Sequence, residues 1–186
     1  CGESITTGVE DTLIGGLAGS SLTTGQENVA VGYAALNTDT RGNHSTALGH
    51  RALVSQNFTS ATDALNTAVG FAAGAAVITG TQNTFVGALA GDATTITSDN
   101  VAIGYFALSA VSGGTNVAVG SQVLANCTGF DNTAMGQTAG NALTSGHNNL
   151  FLGHDAGRTG SPGGNYTTES DHIVLGDEDI AEAHIQ

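Results

Sequence analysis

The sequence predicts an all-β fold: a repetitive β-helix or β-solenoid of about ten coils with a period of about 17 residues. The first observation is the phrase NTAVG at residues 66–70, which returns in related forms along nearly the whole chain. The second is the composition, with 28 glycines in 186 residues, no tryptophan, no lysine and only nine Phe and Tyr residues. Because such a composition lacks the material for an ordinary globular core, stability must come from stacked aliphatic side chains and backbone hydrogen bonds.

The final glycine of the phrase, called here the motif glycine, defines the register of the repeat. Most neighbouring copies follow one another at the same spacing, and two intervals are longer than the rest. Since the copies cover essentially the entire chain, we predict a single repetitive domain over residues 1–186. The ten motif glycines are Gly15, Gly32, Gly49, Gly70, Gly87, Gly104, Gly120, Gly136, Gly153 and Gly176.

Each position of the repeat, counted from the motif glycine, has a physical role in a coil. The residues before the glycine alternate with a period of two and favour β-branched side chains, which predicts a short strand with one face inward. The motif glycine then forms a corner, where a positive φ or a close backbone contact excludes a Cβ. Asparagine occupies position −4 in seven copies. A stacked asparagine at one place in every coil predicts an amide ladder along the axis.

The segment after the motif glycine, AAL or LAG in several copies, forms a second apolar patch. Position +4 holds Leu or Gly, and where it holds Gly an aliphatic residue often follows at position +7, as at Leu22, Val77 and Leu143. This exchange predicts a constant interior volume, with Thr94 and Gly160 as exceptions. We expect the AAL or LAG patch to require a cover from sister chains. The many glycines disfavour helix, although a single helical or 3₁₀ turn after the motif glycine stays open.

The charge and cysteine content exclude several classes of function. Sixteen acidic residues against three arginines give a formal charge of −13, so we expect no nucleic-acid partner. No stretch approaches the ~20 apolar residues of a membrane span, and no membrane insertion is expected. Two cysteines, Cys1 and Cys127, are too few for a disulfide framework.

No catalytic, cofactor or metal site is predicted. Glycoside hydrolysis needs two positioned carboxylates, and the cluster of Asp177, Glu178 and Asp179 fits a solvated chain terminus better. His50 and His154 directly follow motif glycines, where a trimer could gather three copies around a metal ion. The same position holds Tyr, Phe, Ser or Gln in other copies, which favours a tolerant exposed position. We therefore predict a protein that is not an enzyme.

Two long intervals of the repeat are the candidate binding loops. They contain the sequences VSQNFTSATDA and RTGSPGGNYTTES. Loops that bulge from a rigid repeat are where recognition tends to occur. The candidates for receptor or glycan contact are Phe58, Arg158 and Tyr166, and a packed loop anchor is the alternative for each of them.

The tandem NTAVGYxAL and NTxxGxxAG phrases, separated by TxGxxN turns, resemble the repetitive shafts of bacteriophage tail fibres and tailspikes. The closing SDHIVLGDEDIAEAHIQ resembles the segment that precedes a self-cleaving intramolecular chaperone domain at the C-terminus of many such fibres. The NSVAIG repeats of trimeric autotransporter adhesin heads are related in motif. The resemblance implies a parallel homotrimer of β-coils around a threefold axis. It leaves open whether the chains form separate solenoids or intertwine, and the regular period favours separate solenoids.

The expected function is that of a structural component of a viral tail fibre. The resemblance implies a rigid shaft in the extracellular virion tail, which projects the host-recognition tip and can contact host-surface glycan. Its partners would be two further copies of itself, neighbouring tail or fibre proteins, and a host glycan or receptor. The alternatives are a bacterial trimeric autotransporter-type adhesin head at the cell surface, and a non-catalytic part of a polysaccharide-degrading tailspike.

Overall fold

The structure, a computed structural model, describes residues 1–110, 112–177 and 179. Within these residues the chain is all-β and has no helix, and therefore none long enough to cross a membrane. Glu178 and residues 180–186, which end the segment cited for the fibre resemblance, lie outside the described residues. Ten three-residue strands recur, one for each repeat: β1 (Thr12–Ile14), β2 (Val29–Val31), β4 (Thr46–Leu48), β6 (Thr67–Val69), β7 (Thr84–Val86), β8 (Val101–Ile103), β9 (Val117–Val119), β10 (Thr133–Met135), β11 (Leu150–Leu152) and β12 (Ile173–Leu175). A short strand β3 (Gly42–Asn43) pairs with a second short strand, β5 (Thr62–Asp63), which lies in the first long interval of the repeat.

The ten recurrent strands form one parallel sheet, and successive strands of the same chain are neighbours in it. The register is constant, so that Thr67 pairs with Thr84 and Thr84 with Val101, position −3 on position −3 throughout. The predicted β-solenoid and its repeat period are confirmed. The chain closes its own coils, as expected for separate solenoids, because each strand pairs with the next one along the same chain.

The core is a single column of small and aliphatic side chains inside the coils. The middle residue of each strand, position −2, points inward and is Ala in most coils. The residues at positions +3 and +4, such as Ala35 and Leu36, are fully buried within their own coil. The prediction that the AAL or LAG segment needs a cover from sister chains is therefore wrong: the coil itself covers this segment.

The predicted exchange between positions +4 and +7 is present in the core, and a third position also compensates for glycine at position +4. Leu22, Val77 and Leu143 are fully buried, as the exchange between positions +4 and +7 requires. Elsewhere a phenylalanine at position −2 fills the space that a glycine at position +4 leaves. The rings of Phe85 and Phe151 lie directly against these glycines, Phe85 against Gly74 and Gly91, and Phe151 against Gly140 and Gly157.

The corner after each strand depends on backbone conformations that exclude a helical turn. At the motif glycine Gly32, φ is +132°, and an added Cβ would lie 2.5 Å from the carbonyl oxygen of Gly49 in the next coil. Both predicted reasons for a glycine at this corner, a positive φ and a close backbone contact, are therefore confirmed. Ala34 and Leu36, at positions +2 and +4, are left-handed with φ of 55° and 49°. Their N–H groups donate to opposite neighbours, Ala34 to the preceding coil and Leu36 to the following one.

The predicted amide ladder is present and buried. The backbone N–H and the Nδ2 of Asn83 both donate to Asn66 Oδ1, at 2.9 and 3.2 Å, and Asn100 repeats this pattern on Asn83. The same Nδ2 groups also reach a backbone carbonyl oxygen of the next coil, as from Asn66 to Gly80 at 2.7 Å. Each ladder residue thus satisfies its own polar atoms and ties neighbouring coils together.

The first long interval repairs a gap in this ladder. Ser45 occupies position −4, which asparagine holds in most coils, and serine has no side-chain amide to continue the ladder. Gln56, from the interval, donates from Nε2 to Ser45 Oγ at 2.9 Å and to Asp39 Oδ2 at 2.6 Å. Its Oε1 accepts from Asn66 Nδ2 at 2.9 Å. The interval therefore supplies the missing amide from outside the repeat.

Asp11 occupies the first ladder position, where one of its two carboxylate oxygens lies at a place that requires a hydrogen-bond donor. Its Oδ1 accepts from the N–H and Nδ2 of Asn28, whereas its buried Oδ2 has no hydrogen-bond partner. In the next coil the equivalent atom is Asn28 Nδ2, which donates to Gly42 O at 2.9 Å. A carboxylate oxygen cannot donate to the corresponding carbonyl oxygen, that of Gly25. Burial accordingly raises the pKa of Asp11.

Replacing this residue, Asp11→Asn, is expected to raise the free energy of unfolding by about 0.5 to 1 kcal/mol at pH 7, since the new amide can donate where the carboxylate cannot. Because the pKa is raised in the folded state, the penalty exists above the unfolded value near 4 and vanishes as the carboxyl protonates in acid. Urea denaturation at pH 7 and pH 3.5, at one protein concentration, measures both effects. If the two proteins were equally stable at pH 7, the unpartnered Oδ2 of Asp11 would not destabilise the folded state, contrary to this prediction.

Candidate interaction surface

The outward side of the ten-stranded sheet is a uniform surface that runs along every coil of the described structure. Positions −3 and −1 of every strand point away from the core, in two columns that run along the axis. We call these two columns the outer sheet face. Its members are Thr12, Ile14, Val29, Val31, Thr46, Leu48, Thr67, Val69, Thr84, Val86, Val101, Ile103, Val117, Val119, Thr133, Met135, Leu150, Leu152, Ile173 and Leu175.

The outer sheet face is apolar and uncharged although the chain carries a net charge of −13. None of its 20 positions holds Asp, Glu, Arg or His, five hold Thr and the other 15 hold Val, Ile, Leu or Met. The side chains are partly or fully open to solvent in the single chain: Val69 and Val86 are half-buried, whereas Ile14 is 59% exposed and Met135 is 52% exposed. The inward strand face lies where the alternation predicts it, whereas the uncovered apolar surface is the outer sheet face and not the AAL or LAG segment.

The outer sheet face is a long and narrow strip. Ten strands about 4.8 Å apart make it about 50 Å long, and with its side chains it is roughly 12 Å wide, or roughly 600 Å² in projection. The largest contiguous apolar patch on an ordinary soluble monomer is about 300–600 Å² and is often functional. A surface of this size with no charged residue in it is a candidate for contact with another molecule.

Two polar or aromatic columns border the outer sheet face. Position +1 carries a stack of rings in which His50 lies between Tyr33 and Phe71, with ring centroids 5.4 Å apart on both sides. Position −5, on the opposite border, carries exposed acidic side chains such as Glu27 and Asp99. We call the second border the acidic column. It includes His44, whose imidazole lies 3.4 Å from Glu27 Oε2.

Phe58 belongs to the interior of the first long interval. Its side chain is only 6% exposed. Its N–H donates to Asp39 Oδ1 at 3.0 Å, and its carbonyl oxygen accepts from Thr40 Oγ1 at 2.7 Å. This placement favours the loop-anchor interpretation of Phe58 over contact with a receptor.

Arg158 and Tyr166 lie in the second long interval and are also held by the protein. Arg158 pairs with Asp155 through Nη1. A hydrogen bond from the Thr138 hydroxyl, reinforced by this guanidinium, holds the pKa of Asp155 below its usual value. The Tyr166 ring packs edge-on against the core residue Phe151, with centroids 5.8 Å apart. Both side chains remain partly exposed.

The histidines that the structure describes, His44, His50, His147, His154 and His172, do not gather into a metal site within one chain. Among the described residues, no three His, Cys, Asp or Glu side chains form a group that could hold a metal ion. His154 approaches Asp177 Oδ2 at 3.1 Å, and this hydrogen bond lowers the pKa of Asp177. Asp177 is thus engaged in a hydrogen bond at the surface, next to the last described coil.

A groove opens where the amide ladder ends. His172 occupies the ladder position after Asn149, but its ring lies outside on the surface and contacts Tyr166 edge-on, with centroids 5.0 Å apart. Only its backbone N–H continues the ladder, donating to Asn149 Oδ1 at 3.0 Å. The groove beside it has a volume of about 390 Å³ and lies between the acidic column and position −3 of the outer sheet face. We call it the C-terminal groove, and its lining includes Asp131, Asn148, Leu150, Asp171, His172 and Ile173.

The sequence analysis did not predict the C-terminal groove. The one signal for it was the histidine at position −4, since an imidazole cannot take the buried place of an asparagine side chain. No family model, curated protein or solved structure matches this chain. What is shown of the molecule is therefore its fold, an all-β solenoid built from tandem repeats of one short coil.

Proposed function

We propose that this chain is a rigid shaft segment of a viral tail fibre, in which three parallel copies meet through their outer sheet faces. The observation that carries the proposal is the uncharged, largely apolar surface along all ten strands of the sheet, which is at least partly open to solvent at every position. Burying such a surface between copies would contribute most of the free energy of assembly. The expected setting is the extracellular virion tail, and a bacterial surface adhesin head is the alternative setting for the same assembly.

The narrow shape of the outer sheet face suits three chains. Its two columns are two residues apart along each strand, or about 7 Å. Three such faces turned toward one axis enclose a thin triangular core, which Val, Leu and Ile side chains can fill at ordinary packing density. The acidic columns would then face solvent, where a charge of −13 on each chain costs least.

The coil construction suits a mechanical role. Each coil contacts its neighbours through the sheet, the left-handed turn and the amide ladder, so bending the axis would strain three sets of hydrogen bonds at once. Among the described strands, β1 and β12 are each paired on one side only. We expect adjoining coils or neighbouring fibre proteins to cover these edges.

Crosslinking from the outer sheet face tests this proposal. In a Cys1→Ser background, Leu48→Cys places one exposed thiol on β4, the third strand of the ten-stranded sheet. Met135→Cys places one on β10, the eighth strand of that sheet. A parallel trimer brings identical residues together, so each variant alone should form a covalent trimer with a short trivalent maleimide. The buried Cys127 should not compete, because burial raises the pKa of its thiol to about 11.

The control is Ile96→Cys, at a 67% exposed position in the connection between β7 and β8, which should stay monomeric on the denaturing gel. An antiparallel dimer would pair the third strand with the eighth and would crosslink efficiently only in a mixture of Leu48→Cys and Met135→Cys. That pattern, or no crosslinking at all, would refute the parallel trimer.

A further inference from the structure

We infer that the two borders of the outer sheet face recognise each other between chains, so that position +1 of one copy packs against position −5 of the next copy. We call this line of contact the seam. The inference rests on the proposed function, because it requires three parallel copies. It adds a second contact surface to the trimer and assigns a partner, another copy of this chain, to exposed side chains that lie outside the outer sheet face.

The symmetry of a parallel trimer brings the two borders together. Three faces turned toward one axis form a triangle, and at each of its corners the position +1 border of one chain meets the position −5 border of the next. Rotation about the axis does not change height, so each residue meets the opposite border of the same coil. Within a single chain the outer sheet face, roughly 12 Å wide, lies between the borders. A match between them is therefore not explained by contacts inside the chain.

The large apolar members of the two borders lie in the same coil. Leu65 is the one aliphatic residue at position −5, where the other coils carry polar or charged residues. Phe71, at position +1 of the same coil, is the one phenylalanine at its position. In the single chain Leu65 is 49% exposed and Phe71 is 54% exposed. Across the seam these two side chains would remove each other from water.

The two tyrosines at position +1 lie in coils whose position −5 is acidic. Tyr33 shares its coil with Glu27, and Tyr105 shares its coil with Asp99. Among the described residues, neither the Tyr105 hydroxyl nor the Asp99 carboxylate has a hydrogen-bond partner. Across the seam this phenol can donate to the carboxylate, which is a charged acceptor. The seam is the outer margin of the trimer, so the carboxylates keep their access to water.

The match ends at the last coil. Position +1 is Asp177 there and position −5 is Asp171, and these two carboxylates would repel each other across the seam. Asp177 instead takes part in a hydrogen bond with His154 of its own chain, at 3.1 Å. We therefore expect the seam to be closed between the coils of Tyr33 and Tyr105, and open at the last described coil.

Disulfide formation across the seam tests the inference. In a Cys1→Ser background, Leu65→Cys/Phe71→Cys places one thiol on each border of a single coil. Every chain of a parallel trimer can then bond to both neighbours, so mild oxidation should give a covalent trimer on a denaturing gel. A disulfide requires Cα atoms within about 7 Å, so the two thiols of one chain cannot reach each other. Each single variant should stay uncrosslinked, and co-expression of the two single variants should give covalent dimers but no covalent trimer.

The matched control moves one thiol along the axis. Leu65→Cys/Gln137→Cys keeps one exposed thiol on each border but places them four coils, or about 19 Å, apart. This protein should remain uncrosslinked, while circular dichroism shows that its coil has formed. Equal crosslinking of the two double variants would mean that the thiols meet by random collision, and would overturn the seam.

A double-mutant cycle in another coil tests the seam without removing its apolar contact. Asp99→Gly and Tyr105→Phe each delete one partner of the proposed hydrogen bond, and glycine readily adopts the positive φ of residue 99. Each change alone should raise the dissociation constant of the trimer at least about tenfold, because one trimer holds three such contacts. Sedimentation equilibrium in moderate urea measures this constant. The double variant should resemble the single variants, and losses that multiply in it would show that the two residues do not meet.

The failure of this inference can be told apart from the failure of the proposed function. A protein that forms a covalent trimer through Leu48→Cys but not through Leu65→Cys/Phe71→Cys would overturn the seam and leave the shaft intact. A protein that forms neither would overturn both. A covalent dimer as the largest product of Leu65→Cys/Phe71→Cys would also overturn the seam, because it would indicate two chains related by a twofold axis.

Discussion

Replacing Gly87 by alanine is expected to lower the free energy of unfolding by at least about 3 kcal/mol. Gly87 has a φ of +136°, a conformation that side chains with a Cβ rarely adopt. An added Cβ would lie 2.5 Å from the carbonyl oxygen of Gly104 and 2.7 Å from its carbonyl carbon. These are backbone atoms of the next coil, so they cannot rotate away as a flexible side chain could. Relief would require two coils to separate, which breaks sheet hydrogen bonds on both sides of the corner.

The matched control for this prediction is Gly16→Ala. Gly16 lies directly after a motif glycine, yet its added Cβ would meet only the Tyr33 ring, at 3.4 Å. We expect a change of less than about 0.5 kcal/mol there, as for other surface substitutions. Thermal unfolding of both variants at one protein concentration separates the two cases. A Gly87→Ala protein as stable as Gly16→Ala would show that the corner is not closely stacked.

Much of the coil could be predicted because each feature repeats in the sequence. The motif glycine, the asparagine at position −4 and the aliphatic residue at position −1 recur at a fixed spacing, and a stacked structure is the arrangement that requires such recurrence. The structure confirms the strand, the corner and the amide ladder from this reasoning. The left-handed residues at positions +2 and +4, such as Ala34 and Leu36, could not be predicted, because alanine and leucine carry no sequence signal for a positive φ.

The features that break the repeat were harder to predict. Gln56 completes the ladder beside Ser45, but nothing in the sequence of the first long interval indicates which residue turns inward. Phe85 and Phe151 compensate for glycines in their own and neighbouring coils, so their effect is visible only when the coils are stacked. The same applies to the outer sheet face. Alternation places Val86 opposite the inward residue Phe85, but the AAL patch is equally apolar in the sequence, and only the closed coil shows that this patch is buried.

The surroundings of the candidate binding residues were equally hard to predict from the sequence. Phe58 and Tyr166 were selected as aromatic residues in bulging loops, and the structure packs the first in its own interval and the second against Phe151. The C-terminal groove depends on His172 leaving the ladder and on Asp131 and Asp171 aligning across two coils. Such an alignment needs the register of the coils, which residue types alone do not give.

Placing two charges at the centre of the outer sheet face is expected to abolish assembly. In Val69→Glu/Val86→Glu, the carboxylates lie on the neighbouring strands β6 and β7, and a trimer would bring six of them to its axis. Burying unpaired charges costs several kcal/mol each, and like charges at one axis add to that cost. Both side chains point away from the core and are partly open to solvent in the single chain, so we expect the coil itself to form. We therefore predict a folded monomer.

A single glutamate outside the face provides the control. Ile96→Glu changes an exposed aliphatic residue in the connection between β7 and β8 and should leave assembly unchanged. Circular dichroism of both proteins shows whether the coil has formed, and sedimentation equilibrium gives their masses. A Val69→Glu/Val86→Glu protein with the same mass as the unmodified chain would mean that another surface joins the copies.

The most direct test of the outer sheet face as a trimer interface is the sedimentation equilibrium mass of the unmodified chain, purified without denaturant. The account predicts a mass three times the 18.4 kDa of one chain, over a wide range of protein concentration. A mass that stays at 18.4 kDa at high concentration would contradict it, because the apolar columns of the sheet would then be stable in water without a partner.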